Sequence, residues 1–215
     1  MRGIFITFEG IEGSGKTTLM ELVARSLGRN GRNCVLTREP GGTPLGLSLR
    51  RVLLDPSAAQ ISSTAELMLF AADRAQHVAE VIRPALDHDS IVLCDRFSDA
   101  TVAYQGYGRG LPLEVIASVD SQARGETAPD LTVLLDLTVG EGLGRARSRN
   151  EGSCGPSESR IDEEETAFHQ RVRDGYLDLA REEPDRFLVL DATLEPGNLA
   201  EMVTDELARR FPRAF

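Results

Sequence analysis

Ile4-Phe5-Ile6-Thr7-Phe8, followed after Glu9 by Gly10-Ile11-Glu12-Gly13-Ser14-Gly15-Lys16-Thr17, is the stretch that decides the fold. Its second part satisfies G-x-x-x-x-G-K-[ST], the phosphate-binding P-loop. Its first part is apolar and β-branched and reads as a buried strand. Beyond the loop, Thr18-Leu19-Met20-Glu21-Leu22-Val23-Ala24-Arg25-Ser26-Leu27 carries apolar residues at helical spacing. A strand, a glycine loop and a helix aim backbone N–H groups at an anion, and the helix dipole adds to the attraction. Lys16 is placed to reach the β/γ-phosphates and the Thr17 hydroxyl to bind Mg²⁺. The alternative is a chance glycine turn before a helix, and the flanking pattern argues against it. The expected triphosphate-binding set is Gly10, Ile11, Glu12, Gly13, Ser14, Gly15, Lys16, Thr17 and Thr18.

Four further apolar runs read as strands: Asn33–Thr37, Ser90–Cys94, Leu131–Leu135 and Arg186–Leu190. None alternates cleanly, as suits a parallel sheet covered on both faces. Helical segments lie between them, so the pattern predicts a P-loop NTPase-type three-layer α/β/α fold around a five-stranded parallel sheet. The longest helix is predicted from about Ser63 to Asp87, opened by the capping box Ser63-x-x-Glu66. Thr138-x-x-Glu141 marks another start, and Asn198 to Arg210 reads as a closing amphipathic helix. The polar, Gly/Ser/Pro-rich stretch Asn150–Ser159 reads either as a solvated linker or as a mobile lid spanning about 145–160. Arg145, Arg147 and Arg149 precede it and Arg160 follows.

At 215 residues the chain fits one α/β domain, 1–215, with room for a substantial core. A net charge of −10 argues against nucleic-acid binding but not against a small anion gripped by local arginines. There is no apolar run of about 18 residues to span a membrane and no signal-peptide pattern. The three scattered cysteines lack metal-ligand spacing, so a reducing cytoplasm is the expected compartment, with Cys34 and Cys94 as buried small hydrophobes. The three histidines, His77, His88 and His169, form no triad or metal pattern and read as surface helix residues.

Other constellations point to a second ligand. Thr37-Arg38-Glu39-Pro40-Gly41-Gly42-Thr43 follows a strand, where parallel sheets gather ligands. It reads either as a Pro-Gly turn or as a place where the forked donor Arg38 meets phosphate. Asp95-Arg96-Phe97 ends another strand. It is either a structural ion pair or a metal-holding carboxylate beside a phosphate-binding arginine. Phe70 and Arg74 share a helix face. Phe70 packs in the core or stacks on a planar base, with Arg74 donating to a base carbonyl; a guanidinium beside a buried ring needs an acceptor. Lys16, Arg38, Arg96 and a lid arginine converging on one cleft would bring two polyanions together.

These motifs together resemble the bacterial thymidylate kinase family of nucleoside monophosphate kinases. The matching elements are Phe8-Glu9-Gly10 with the P-loop, Thr37 to Thr43, Leu69-Phe70-Ala71-Ala72-Asp73-Arg74-Ala75-Gln76, Asp95-Arg96-Phe97, Ala103-Tyr104-Gln105-Gly106 and the arginine-rich lid segment. They span nearly the whole chain in the expected order. The resemblance implies a kinase that phosphorylates dTMP to dTDP with ATP and Mg²⁺ in dTTP biosynthesis, working as a homodimer through packed helices. It implies that Glu12 lies near the acceptor sugar, Phe70 stacks on thymine, Arg74 bonds the base's carbonyl edge, and Arg38 and Arg96 hold the acceptor phosphate. It also implies that Thr101 and Gln105 line the base pocket, that Tyr104 sits where a ribose 2′-hydroxyl would project, and that Thr17 and Asp95 serve Mg²⁺. Some family members carry a basic residue inside the P-loop. Ile11 to Ser14 offer none, so Arg149 or Arg147 is expected to join Lys16 and Arg96 in catalysis. Competing readings are a kinase for UMP, CMP or AMP, a nucleotide-dependent switch, and a non-enzymatic binding module.

Overall fold

The computed structural model describes residues 3–29, 31–55, 61–151, 160–161 and 164–212, without the side chains of 149–151. Five strands form one sheet: β1 (Ile4–Glu9), β2 (Cys34–Arg38), β3 (Ile91–Asp95), β4 (Leu131–Asp136) and β5 (Phe187–Asp191). All neighbouring pairs are parallel, in the order β2-β3-β1-β4-β5. The expected α/β architecture is present. The expected strands each stop one residue short at the carboxyl end. The residues missed are Glu9, Arg38, Asp95, Asp136 and Asp191, charged groups that the ladder includes and that hydropathy rejects.

Continuous apolar strands follow from burial on both faces. Ile4, Ile6 and Phe8 of β1 point one way, into a core with α1 (Lys16–Arg29) and α9 (Pro196–Arg210). Phe5 points the other way, into a cluster with Val92, Cys94, Phe97 and Ile82. A third cluster joins β4 to α8 (Thr166–Glu182) through Leu134, Phe168, Val172 and Tyr176. Helices therefore cover both faces of the sheet. Cys94 is buried as expected, whereas Cys34 on the edge strand is only half-buried.

The long helix predicted from Ser63 to Asp87 is one helical run in three parts: α3 (Ser63–His77), a π-helical turn (Val78–Ile82) and α4 (Arg83–Asp87). Pro84, at the start of α4, cannot supply an N–H inside a helix, and the wider turn just before it accommodates that loss. The N-cap is Ser62, whose hydroxyl accepts from Ala65 N at 3.3 Å, not Ser63. Glu66 therefore falls one place past the capping-box position and turns inward. The remaining helices are α2 (Pro44–Leu54), α5 (Ser98–Thr101), α6 (Leu113–Arg124) and α7 (Val139–Glu151), with a second π-helical segment at Val102–Gly108. Thr138 caps α7 as read, accepting from Glu141 N at 3.4 Å and donating to the Glu141 carboxylate at 2.5 Å. The helix runs on to Glu151, and residues 152–159 of the predicted lid lie outside the described residues.

The chain steps from β3 to β4 across β1, so β1 lies at the switch point where such sheets bind ligands. The glycine loop leaves its carboxyl end. Gly13, at φ +74°, meets α7 backbone to backbone: a Cβ there would lie 2.1 Å from the Gly142 carbonyl oxygen. A Cβ on Gly142 would in turn lie 2.6 Å from the Glu12 oxygen. Gly142→Ala is therefore expected to cost about 1–3 kcal/mol by overpacking. Gly144→Ala, with nothing within 4 Å, should gain stability by ~0.5–1 kcal/mol of helix propensity. Urea unfolding of the two variants checks this, and equal effects would contradict the contact.

Candidate active site

Lys16 begins α1, and its buried ammonium is held over the loop by the carbonyls of Gly10 (3.0 Å) and Ile11 (2.8 Å) and by Ser14 Oγ (3.3 Å). Burial, and then the charge of Arg96, bring its pKa down from 10.5 to about 8. The Thr17 hydroxyl donates to Asp95 Oδ2 at 2.6 Å, joining the start of α1 to the end of β3. A hydroxyl beside a carboxylate is a hard-oxygen donor pair. Among the described residues no cluster of three or more His, Cys, Asp or Glu side chains is arranged to hold a metal by itself. The pair thus fits Mg²⁺, which takes one or two carboxylates and completes its shell with phosphates and water.

In front of the loop lies a cleft of about 440 Å³. It is lined by Glu12, Gly13, Lys16, Thr17 and Thr18 from the loop side and by Arg38, Asp95 and Arg96 from strand ends. Phe70, Arg74, Thr101, Tyr104 and Gln105 line it from the helices. The structure thus gathers nearly every sequence-predicted site residue into one cavity. Gly10, Ile11, Ser14 and Gly15 shape the loop behind it. Phe70 is half-buried, open to the cleft and also packed against the core, so both readings of it hold in part.

Glu12 and Arg96 meet at the centre. Glu12 Oε1 accepts from Arg96 Nη2 at 2.9 Å and from the Tyr104 hydroxyl at 2.6 Å. Burial alone would raise the Glu12 carboxyl, but Arg96, supported by His169, Lys16 and Tyr104, draws it well below the usual carboxylate range. The Arg96 guanidinium lies 4.8 Å from the centre of the Tyr104 ring. Its backbone takes φ +71°, a left-handed turn that lifts the side chain off the end of β3. Behind it, Arg96 Nη1 donates to the Tyr176 hydroxyl (3.0 Å), which donates to Glu9 Oε2 (2.7 Å). Glu9 also accepts from Phe97 N at 2.7 Å, so it fixes the Asp95-Arg96-Phe97 turn from both sides. Complete burial, with Asp99 nearby, pushes its pKa from 4.5 to about 8. Tyr104 and Gln105 reach the cleft from the π-helical segment at Val102–Gly108, a backbone form that often marks functional sites.

The structure adds protein partners to Arg74, and two histidine expectations need correction. Arg74 is buried and already has protein acceptors: Glu39 Oε2 (3.0 Å), Asp120 Oδ1 (2.7 Å) and Thr101 Oγ1 (2.8 Å). His77 and His169 are fully buried, not surface residues. His77 lies between Glu39 Oε1 (2.9 Å) and Thr37 Oγ1 (2.6 Å), and so fixes the two residues that flank Arg38. Of the lid-flanking arginines, Arg145 donates to the Ala192 carbonyl at 3.0 Å and Arg160 to Leu53 O at 2.7 Å and to Glu66. Neither lines the cleft. Arg147 is exposed on α7, and the side chain of Arg149 lies outside the described residues.

Sequence reading missed Glu9, Glu39, Asp120, Tyr176 and Glu66 as partners. Glu66 accepts from Gln105 Nε2 (2.8 Å), Arg109 Nε (3.2 Å) and Arg160, tying the Gln105 wall of the cleft to Arg160 at the end of the predicted lid. The only advance signal was a carboxylate at an apolar position of a strand or helix, which demands a buried partner.

Two pH effects follow. Phosphate prefers charged Lys16, so triphosphate binding takes up a proton above about pH 8, and affinity should fall as pH rises through that value. Calorimetry at pH 7 and 9 in buffers of different ionisation enthalpy reads both the affinity and the proton; constant affinity without uptake would contradict the assignment. The raised pKa of Glu9 stabilises the fold fully below pH 4.5, and that contribution is lost as pH rises towards about 8. Glu9→Gln should flatten the pH dependence of unfolding free energy between those values.

Comparison with known proteins agrees with this geometry. A family model for thymidylate kinase matches residues 8–203. Thymidylate kinase of Trichlorobacter lovleyi is 55% identical over 207 residues, covering 96% of this chain and 98% of that protein. That of Geobacter sulfurreducens is 49% identical over 211 residues, 98% of this chain and 99% of the relative. The crystal structure of thymidylate kinase from Ehrlichia chaffeensis superposes with a TM-score of 0.75 at 35% identity, covering 97% of this chain and all of that one. With the match running from the end of β1 into α9 and the motif residues lining one cleft, the chain belongs to the thymidylate kinase family.

Proposed function

We propose that this chain transfers the γ-phosphoryl group of ATP to dTMP with Mg²⁺, giving ADP and dTDP for dTTP biosynthesis, as one catalytic domain. The observation that carries the reading is that one cleft is lined together by the P-loop residues Glu12, Gly13, Lys16, Thr17 and Thr18, by Phe70, Arg74 and Gln105, and by Arg96, which is paired with Glu12 of the loop. The loop from Gly10 to Thr18 holds the donor phosphates, and Thr17 and Asp95 hold Mg²⁺, which supplies charge neutralisation at the phosphates. Phe70 stacks on thymine. Arg74 spends three of its five N–H groups on Glu39, Asp120 and Thr101, which orients the other two for a base carbonyl. Thr101 and Gln105 complete the base pocket. Tyr104, bonded to Glu12, fills the space of a 2′-hydroxyl and favours deoxyribose.

Arg38 and Arg96 hold the acceptor phosphate in line with the donor, where positioning and charge stabilisation do most of the work. The acceptor needs no strong base, because a phosphate monoester with a second pKa near ~6 is already mostly ionised at neutral pH. A lid arginine, Arg147 or Arg149, supplies the remaining positive charge. Nucleotide pools of ATP and dTMP place the enzyme in the cytoplasm. Exposed apolar side chains on neighbouring helices, Leu45 and Val52 on α2 and Met68 on α3, support a homodimer. Among the described residues no helix is long and apolar enough to cross a membrane.

Phe70→Ala should raise KM for dTMP about tenfold or more, since base–aromatic stacking is worth ~1–3 kcal/mol. An unchanged KM in a folded variant would make Phe70 a packing residue only. Arg147→Ala and Arg149→Ala are expected to include at least one variant with kcat lowered about tenfold, ~1.4 kcal/mol of transition-state stabilisation. A panel of dTMP, UMP, CMP and AMP should show turnover concentrated on dTMP. ATP hydrolysis indifferent to any added monophosphate would instead mark a nucleotide switch.

A further inference from the structure

His169 lies one turn into α8, fully buried, with its ring edge-on to Phe168 at a centroid distance of 5.4 Å. Among the described residues neither of its ring nitrogens has a hydrogen-bond partner, and neither does Oε2 of Glu12. These unpaired atoms face one another, with His169 Nδ1 3.4 Å from Glu12 Oε2. Leaving a buried polar atom unpaired costs ~1–3 kcal/mol, so three such atoms in one place call for a reason. The other Glu12 oxygen is fully engaged by Arg96 and Tyr104. A carboxylate gripped at one oxygen only is free to swing the second.

We propose that His169 is a positioning residue for Glu12: its Nδ1–H donates to the buried Oε2 and fixes the carboxylate plane, so that Oε1 is held on Arg96 and Tyr104 at the acceptor side of the cleft. This rests on the acceptor-site reading above and deepens it. His169 does not line the cleft, so it acts through Glu12 and not on the ligand. Glu12 also holds Arg96 and Tyr104, so loss of the donor reaches the groups assigned to the acceptor. The donor triphosphate is held by the rest of the loop, through Lys16, Thr17 and backbone N–H groups and not through the Glu12 carboxylate, and should be little affected.

Two measurements test this on the whole chain. Without any nucleotide, ¹⁵N NMR of the histidine rings should find His169 protonated at Nδ1, with that resonance moving in Glu12→Gln. An Nε2–H ring, or a resonance indifferent to Glu12, overturns the bond. In steady-state kinetics, His169→Leu keeps the volume but removes the donor, and should raise KM for dTMP about tenfold while KM for ATP stays within about twofold. His169→Asn restores an N–H near the Nδ1 position and should bring KM for dTMP back to within about threefold of the parent. No rise in the leucine variant, or no rescue by asparagine, overturns the positioning role. A KM rise confined to ATP, with the NMR result as expected, overturns the assignment of Glu12 to the acceptor sugar and leaves the His169–Glu12 bond standing. Should His169→Leu not fold, the NMR arm and the asparagine variant still decide the matter.

Discussion

The ion pair between Glu12 and Arg96, at 2.9 Å, is the contact on which the rest of the site depends. Glu12 belongs to the phosphate-binding loop, whereas Arg96 belongs to the turn after β3. Their pairing joins the loop to the opposite wall of the cleft. Each partner is then held from behind. Tyr104 secures Glu12, and Tyr176 with the buried Glu9 secures Arg96. Two charges largely withdrawn from water are expensive unless they are geometrically fixed and further hydrogen-bonded. That expense is met here in the wall of the cleft, where Arg96 is proposed to stand between two polyanions.

The sheet makes this pairing possible. Parallel strands bring all their carboxyl ends to one edge, and each strand here ends on a charged residue: Glu9, Arg38, Asp95, Asp136 and Asp191. The apolar bodies of the strands fill the cores on both faces, and the chemistry begins where the apolar pattern stops. The same transition explains why the strand ends were read one residue short. Hydropathy marks a strand by what it buries in apolar cores, but hydrogen bonding carries β2 and β3 on to the paired Arg38 and Asp95.

Much of the fold and cleft was legible for physical reasons. Lys16, Thr17, Arg38 and Arg96 are chemical groups whose types declare their targets. Phe70 and Arg74 declare a shared face by their spacing. What was not legible depended on partners distant in sequence. Arg74 is paired with Glu39 and Asp120, which lie 35 and 46 positions away. His77 and His169 were read as surface residues because a lone histidine in an amphipathic pattern carries no mark of the carboxylate it will meet. Glu66 matched a capping box by sequence, yet the helix begins one residue earlier and turns it to Gln105 and Arg109. The contact between Gly13 and Gly142 is also invisible in sequence, since each glycine alone reads as a helix or loop irregularity.

The central claim is that one cleft holds both nucleotides at once, with Arg96 between their phosphates. Adenosine and thymidine joined 5′ to 5′ by five phosphates test it most directly, because that molecule reaches both ends only if they lie in one continuous cavity. The account predicts inhibition competitive with both ATP and dTMP, and weakened by Phe70→Ala as well as by Lys16→Met. Inhibition competitive with one nucleotide and noncompetitive with the other would contradict it.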